Sequence, residues 1–424
     1  MFRGNFWLFT VMLPLCVTAC SGEGAKAIGE VDTGELGVAE QQLAGTDRPA
    51  GALSIRGVDG EYQLWAFACG ADHVMRRRVF LWTRGAVGVW GSWLTVAGSF
   101  PCAGPPSIAR WVASEPLSDH SVWPFVEKTE TLVAYYRGTN NHLIEAWYDS
   151  DGSKRATDLN AQRDDFYDIA SNPTVVDAVD VPGMSQRISV AVKRVSDGQA
   201  FTLDFYQGDW HVRPVGGANG VVSVGDTITA SYNQYSGSYL ALQTGAGAYV
   251  VYSRKSWKDP YASYLGVRNQ SFYGVMTFSG PEGRALVRSA SNGINSTRWW
   301  ALNSSAYGTF QLPGDNDSPQ YPGGSLFSTS TGVSYESYAR RGDGTLIWRN
   351  DLTDEIYAST HSGLSSAPVA VNGNYFGGSA IYTKLVSGRH ELFWTSRVIL
   401  AVNINSETDL AEAPLDYPGG VLAP

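Results

Sequence analysis

Seven glycines divide most of this 424-residue chain into units of similar length. Gly70, Gly138, Gly198, Gly245, Gly293, Gly342 and Gly388 follow one another at intervals of 68, 60, 47, 48, 49 and 46 residues. In the last three units a Trp stands six residues after the glycine, at Trp299, Trp348 and Trp394. Each glycine separates two apolar-alternating runs, as in TLVAYYRGTNNHLIEAWY (131–148), YLALQTGAGAYVVY (239–252) and AIYTKLVSGRHELFW (380–394). Alternation of period two on both sides of a Gly, Asn or Asp turn is the pattern of a β-hairpin. Three to four strands in about 50 residues is the size of a propeller blade. A helical solenoid would place helical runs between the strand pairs, and none is present. The expected fold is all-β, a seven-bladed β-propeller with about 50 residues per blade, occupying 49–424. A second marker is a Pro that opens a further apolar run, at Pro49, Pro106, Pro173, Pro319, Pro368 and Pro414. Pro173 to Pro319 spans 146 residues, three units of about 49, so the series from Pro49 to Pro414 makes eight runs for seven units, and which terminus closes the ring stays open.

Composition narrows the function. Only 17% of residues are charged and the net charge is −9, which leaves no basic stripe for nucleic acid. With 43% hydrophobic residues the chain has ample surface to bury and is not disordered. Its 47 Gly and 14 Trp suit short strands joined by tight turns.

Residues 1–19 read as an export signal, with Arg3 before an apolar stretch from Phe6 to Val17 that is too short to span a membrane. The end of the signal, Val17-Thr18-Ala19-Cys20, resembles the lipobox of bacterial lipoproteins, which implies a lipid on Cys20. Ser21 resembles the residue that follows the lipidated Cys in outer-membrane-sorted lipoproteins. The expected location is therefore the cell envelope, lipid-anchored to the outer membrane, on either side of it. Residues 20–48 are acidic and lack aromatics, and read as a flexible tether. Cys16 leaves with the signal, so Cys69 and Cys102 remain as either a disulfide in an oxidising compartment or two buried thiols.

The residue pattern also suggests a family. Trp82, then Trp90-Gly91-Ser92-Trp93 and Gly98, with Arg137-Gly138-Thr139-Asn140-Asn141 and Thr297-Arg298-Trp299-Trp300, resembles the PLL-like bacterial fucose-binding lectins. That resemblance implies a seven-bladed propeller with sugar pockets between neighbouring blades. The first, second and fifth units match best. The Trp of the following strand, present at Trp90/Trp93, Trp210 and Trp257, is missing from the second, fifth, sixth and seventh units.

A pyranose shows an apolar C–H face and a ring of hydroxyls, so a site needs an aromatic platform beside donors and acceptors. The candidates are Trp90 and Trp93 beside Arg84; Trp147 beside His142 and Glu145; Trp299 and Trp300 beside Arg298; and Trp348 beside Arg340 and Asp343. The partners expected are glycans or polysaccharide, fucosylated on the strength of the resemblance, with envelope proteins as a second class. No cofactor or metal motif occurs, and no HExxH, GxSxG, CxxC or Walker-type loop. Two alternatives stay open. One is a protein-interaction scaffold using the broad face. The other is a glycosidase of sialidase-like architecture, for which carboxylates such as Glu145, Glu336 and Glu391 cannot be paired from sequence.

Overall fold

The computed structural model describes residues between 49 and 422, all within the unit Ala39–Pro424; residues 1–48, 57–61, 83–87, 97–99, 113–129, 149–153, 179–186, 207, 217–223, 234–236, 245–248, 255–262, 265–276, 280–283, 290–295, 302–306, 310–319, 324–335, 342–343, 351–354, 359, 367, 372–378, 397–410 and 423–424 are outside the description. The signal, Cys20 and the tether therefore lie outside it. In the fourth to sixth sheets the description covers mainly the backbone.

Among the described residues the chain is all-β and propeller-like, with one helix of four residues. The strands form seven antiparallel sheets in chain order. The first holds β1 (Gly51–Arg56), β2 (Tyr62–Cys69), β3 (Met75–Trp82) and a broken outer strand, β4 (Val89–Trp90) and β5 (Leu94–Thr95). The second holds β6 (Ser107–Val112), β7 (Glu130–Arg137), β8 (Leu143–Tyr148) and β9 (Lys154–Asp158), and is followed by α1 (Leu159–Gln162). The third holds β10 (Thr174–Ala178), β11 (Arg187–Lys193), β12 (Ala200–Tyr206) and β13 (Asp209–Pro214). The fourth holds β14 (Val224–Asn233), β15 (Gly237–Thr244), β16 (Tyr249–Arg254) and β17 (Ser263–Tyr264). The fifth holds β18 (Thr277–Ser279), β19 (Arg284–Ser289), β20 (Ser296–Ala301) and β21 (Tyr307–Thr309). The sixth holds β22 (Gln320–Gly323), β23 (Glu336–Arg341), β24 (Leu346–Asn350) and β25 (Glu355–Ala358). The seventh holds β26 (Val369–Ala370), β27 (Ser379–Val386), β28 (Arg389–Ser396) and β29 (Ala411–Pro414).

The core lies between the sheets, and this explains the near-continuous apolar runs of the second and third strands. On β7, Leu132, Ala134 and Tyr136 pack toward the first sheet, while Val133 and Tyr135 pack toward the third. On β2, Trp65, Phe67 and Cys69 face the second sheet, and Leu64, Ala66 and Ala68 face the seventh. Trp394 of β28 is fully buried in that seam, against Phe80 and Trp90 of the first sheet. Contacts run from each sheet to the next, through β1 and β6, β6 and β10, β10 and β14, β14 and β18, β19 and β22, and β23 and β26. They return from β26 to β1.

One hydrogen-bonded crossing recurs where the chain leaves a sheet. The amides of Cys102, Ile169, Leu364 and Val421 donate to a carbonyl in or beside their own sheet's central turn: His73 (2.9 Å), Asn141 (2.7 Å), Gly344 (3.0 Å) and His390 (2.9 Å). The next amides, Ala103, Ala170, Ser365 and Leu422, then donate to the second strand of the following sheet. Their acceptors are Arg137 (2.8 Å), Lys193 (2.7 Å), Thr383 (2.7 Å) and Cys69 (2.9 Å). Leu422 thus does to the first sheet what Ala103 does to the second. All four strands of the seventh sheet come from 369–414, and the stretch that follows them lands on β2.

Pro106, Pro173 and Pro368 stand directly before the first strands of their sheets, and Pro49 stands two residues before β1. Pro414 does not belong to that series. It ends the outer strand β29 opposite Phe393, as Pro214 ends β13 opposite Phe201. An outer strand tolerates Pro because its missing N–H faces no partner.

The turn glycines serve two purposes. At Gly198 and Gly388 φ is +68° and +78°, a region that side chains disfavour. At Gly70 and Gly138 the reason is space, since a Cβ would stand 2.3 Å from Asp72 Oδ1 and 2.4 Å from Asn140 Oδ1. Those same oxygens accept from Val74 N (3.2 Å) and His142 N (3.2 Å), the matching Asx turns of two sheets. Cys69 and Cys102 form a disulfide with Cα atoms 6.0 Å apart, which pins the end of β2 to the crossing into the second sheet.

Candidate functional site

The connection from the second sheet to the third carries the most developed site among the described residues. Asp158 starts it, capping α1 by accepting from Ala161 N at 3.1 Å. The same carboxylate takes His142 Nδ1 at 2.7 Å and Asn140 Nδ2 at 3.3 Å, so the β7–β8 turn sets where the connection begins. Arg163 then reaches across to the third sheet, with Asp165 at 2.9 Å and Asp209 at 2.8 Å. Its guanidinium holds both carboxyls below the usual range, so each stays ionised well into acid. The stability from these exposed pairs is fully present above the normal Asp pKa and fades as pH falls through the lowered values.

Beyond this brace lies a cleft of about 550 Å³, a volume in the range of small-molecule sites. It is lined by Asp165 and Tyr167 of the connection, Arg194 and Gln199 of the β11–β12 turn, Phe201 of β12, and Trp210 to Pro214 of β13. Tyr167 is 43% exposed, and its ring meets Phe201 edge-on with centroids 5.4 Å apart. The Arg194 guanidinium lies 4.5 Å from the Tyr167 ring centre and is held by Asp197, its Nε 2.8 Å from Oδ1. Trp210 is boxed edge-to-face by Phe166 (5.8 Å), Phe205 (5.3 Å) and Tyr135 (6.1 Å). Below the floor, Arg213 Nε approaches the fully buried Asp204 at 3.8 Å, and Thr202 Oγ1 donates to the same carboxylate at 3.3 Å. The cleft therefore offers an exposed aromatic face, two guanidinium groups, an imidazole at His211 and carboxylate and amide acceptors.

The same positions recur at the entrance to the seventh sheet. Lys384 bridges Leu364 as Arg194 bridges Ile169, and Phe393 faces Pro414 as Phe201 faces Pro214. There Lys384 Nζ stands 5.0 Å from the Phe393 ring centre and 2.7 Å from Glu412.

The sequence candidates fall into three groups. Glu145 and Trp147 meet on one face of β8: buried Glu145 accepts from Trp147 Nε1 and from Tyr135 Oη at 3.0 Å. Arg155 covers the Trp147 ring at 5.1 Å. His142 is not beside them but at the turn, where it positions α1. Trp90 and Trp93 are engaged in the seam of the first and seventh sheets. Trp90 packs on Trp394 (5.2 Å), Trp93 packs on Tyr417 (4.7 Å), and Trp93 Nε1 donates to the Leu415 carbonyl. Arg298, Trp299 and Trp300 lie on β20, and Arg340 and Trp348 on β23 and β24, with side chains outside the description. Arg84 and Asp343 are outside the described residues.

Burial pushes the Glu145 carboxyl up, and its two hydrogen bonds and Arg155 pull it partly back. A raised native pKa means that the ionised form disfavours folding, so this residue contributes more stability as pH falls through that window. Glu145→Gln is expected to gain on wild type, in unfolding midpoint, as pH rises from 4 toward 7. Thermal unfolding of both proteins across that range checks it, and a difference independent of pH would contradict the assignment.

No protein-family model matches this chain, and no curated protein is detectably similar to it. Solved structures give distant likenesses. The Aleuria aurantia fungal lectin, described as a six-bladed β-propeller with a novel fucose recognition mode, shares 11% identity over 90% of this chain and 99% of its own, with a TM-score of 0.47. A fucose lectin from Kordia zhangzhouensis shares 18% over 38% of this chain and 96% of its own, at 0.28. A puromycin hydrolase shares 9% over 84% and 53%, at 0.46. At these identities and scores none of them assigns this chain a family or a function.

Proposed function

We propose that the chain is a seven-bladed, non-catalytic glycan-binding propeller, held to the bacterial outer membrane through a lipid on Cys20. The observation that carries the binding reading is the cleft between the connection at Asp165 and Tyr167 and the outer part of the third sheet. Tyr167 presents a partly exposed ring for the C–H face of a sugar, with Arg194 against that ring and Arg213 lining the cleft as donors and Asp165 and Gln199 as acceptors. The blade count rests on the seven sheets, their contacts from one to the next and back to the first, and the repeated crossing. The recurrence of a cation, a Phe and a Pro at the seventh sheet favours more than one site and binding strengthened by multivalency.

The non-catalytic reading is supported by the carboxylates. A glycosidase needs one acid held protonated facing a second carboxylate. The Asp groups around the cleft with shifted pKa, Asp165, Asp197 and Asp209, are all lowered by Arg partners. Glu145, whose pKa is raised, is enclosed by Tyr135 and Trp147.

A glycan array probed with residues 21–424 is expected to show binding to neutral glycans, with fucosylated ones first to examine because of the sequence resemblance. Tyr167→Ala should weaken binding at this site about ten- to a hundredfold, the loss of one stacking platform. Its unfolding midpoint should fall only slightly, because nearly half of Tyr167 is exposed. Silence across the array, or unchanged titration of a bound glycan by Tyr167→Ala, would refute the assignment.

A further inference from the structure

The three consecutive arginines of β3 divide between two seams. Arg76 and Arg78 turn toward the seventh sheet and the segment after it, where Arg76 pairs with Asp72 at 2.7 Å and Arg78 donates to the Leu415 carbonyl. Arg77 turns the other way, into the seam of the first and second sheets, and is only 8% exposed. Its guanidinium lies between two rings, 4.8 Å from the centre of Trp65 on the first sheet and 5.0 Å from that of Tyr148 on the second. Among the described residues no carboxylate pairs with it; Arg77 Nε has no hydrogen-bond partner, and the only polar group beside the Tyr148 hydroxyl is the Arg77 guanidinium.

A guanidinium in this setting is unusual. Cation–π contact with two rings is worth a few kcal/mol at most, which does not offset the desolvation of a buried charge. Buried polar groups in native proteins almost always find a partner, so the unpartnered Nε calls for an explanation, an ion or a water among them. Water leaves the charge uncompensated, whereas an anion neutralises it and accepts from Nε. Burial pulls the Arg77 pKa down and pushes the Tyr148 phenol up, as expected of two groups starved of solvent. The enclosure and the small number of donors suit a spherical ion better than a branched one.

We propose that the seam between Trp65, Arg77 and Tyr148 binds one chloride-sized halide ion, separate from the cleft at Tyr167. The ion completes the packing of the first sheet on the second, and occupancy stabilises the folded chain by mass action.

Thermal unfolding of the full chain in sodium chloride, sodium bromide and sodium gluconate at matched ionic strength tests this. The halides should raise the midpoint by roughly 3–6 °C in a saturable way, and gluconate should not. Arg77→Met keeps the stem and removes the charge. It should abolish the halide effect and melt above wild type in gluconate, where the wild-type charge is uncompensated. An equal response to gluconate, or a halide effect that survives in Arg77→Met, would overturn the proposal. Should the variant fail to fold, bromide-soaked crystals of the wild type decide. An anomalous peak within hydrogen-bond distance of the Arg77 guanidinium supports the site, and its absence there refutes it.

Discussion

Tyr417→Ala is expected to lower stability by about 3–5 kcal/mol, the usual loss for removing a large buried aromatic. Tyr417 is the fastener of the segment that joins the seventh sheet to the first. Its ring packs against Trp93 at 4.7 Å and beneath Arg76 at 5.5 Å. Its hydroxyl lies 3.0 Å from the Val74 carbonyl and 3.3 Å from that of Ala68, and accepts from Arg76 Nη1 at 3.3 Å. Burial pushes its pKa up to about 12, so it remains a donor throughout the physiological range. Leu415 and Val421 on either side are buried in the same cluster as Phe80 and Trp394. Loss of the ring should therefore open that seam and not merely fray an end. Chemical unfolding gives the stability change, and binding of a hydrophobic dye at low denaturant reports the exposed Trp394 seam. Tyr417→Phe keeps the packing and should lose only about 1–2 kcal/mol, the value of the hydroxyl's bonds. A near-neutral Tyr417→Ala would show that the closing contact lies elsewhere.

The second large effect belongs to the disulfide. Cys69 and Cys102 are 33 residues apart, and closing a loop of that length in the unfolded chain is worth about 3–4 kcal/mol. The bridge sits where three segments converge. Cys69 ends β2 and its carbonyl accepts Leu422 N at 2.9 Å, while Cys102 N donates to His73 at 2.9 Å in the crossing to the second sheet. The Cys69→Ala, Cys102→Ala double variant should unfold at correspondingly lower denaturant, with the slope of the transition raised as the unfolded chain expands. Because both sulfurs are buried, a reductant should act on the native protein only as fast as the seam opens. Rapid reduction with no loss of stability would contradict this role.

Much of the architecture was legible because repeats announce themselves. The Gly-centred hairpins at Gly70, Gly138, Gly198 and Gly388 are the central turns of their sheets, and Pro106, Pro173 and Pro368 precede first strands. Pro414 misled because a Pro can open an inner strand or end an outer one, and only the pairing with Phe393 separates the two. The site was less legible. Glu145 and Trp147 stand two residues apart on one strand, so period-two alternation places them together. His142, five residues before Trp147, was drawn to the wrong end of the same strand. Arg163, Asp165, Tyr167 and Arg194 come from a connection and a turn with no periodicity. The one signal available was the density of Arg, Asp and aromatic residues in 163–168, between two strand patterns. Arg77 was hidden in the run Arg76-Arg77-Arg78, because alternation sends the middle residue to the opposite seam.

The most direct measurement is a crystal structure of the chain with a glycan selected on the array. The sugar should lie on the Tyr167 ring, in the cleft between the connection that carries it and the third sheet, with hydroxyls within hydrogen-bond distance of Arg194 or Arg213. A glycan bound only on surfaces remote from that cleft, or an empty cleft at saturating ligand, would contradict the proposed function.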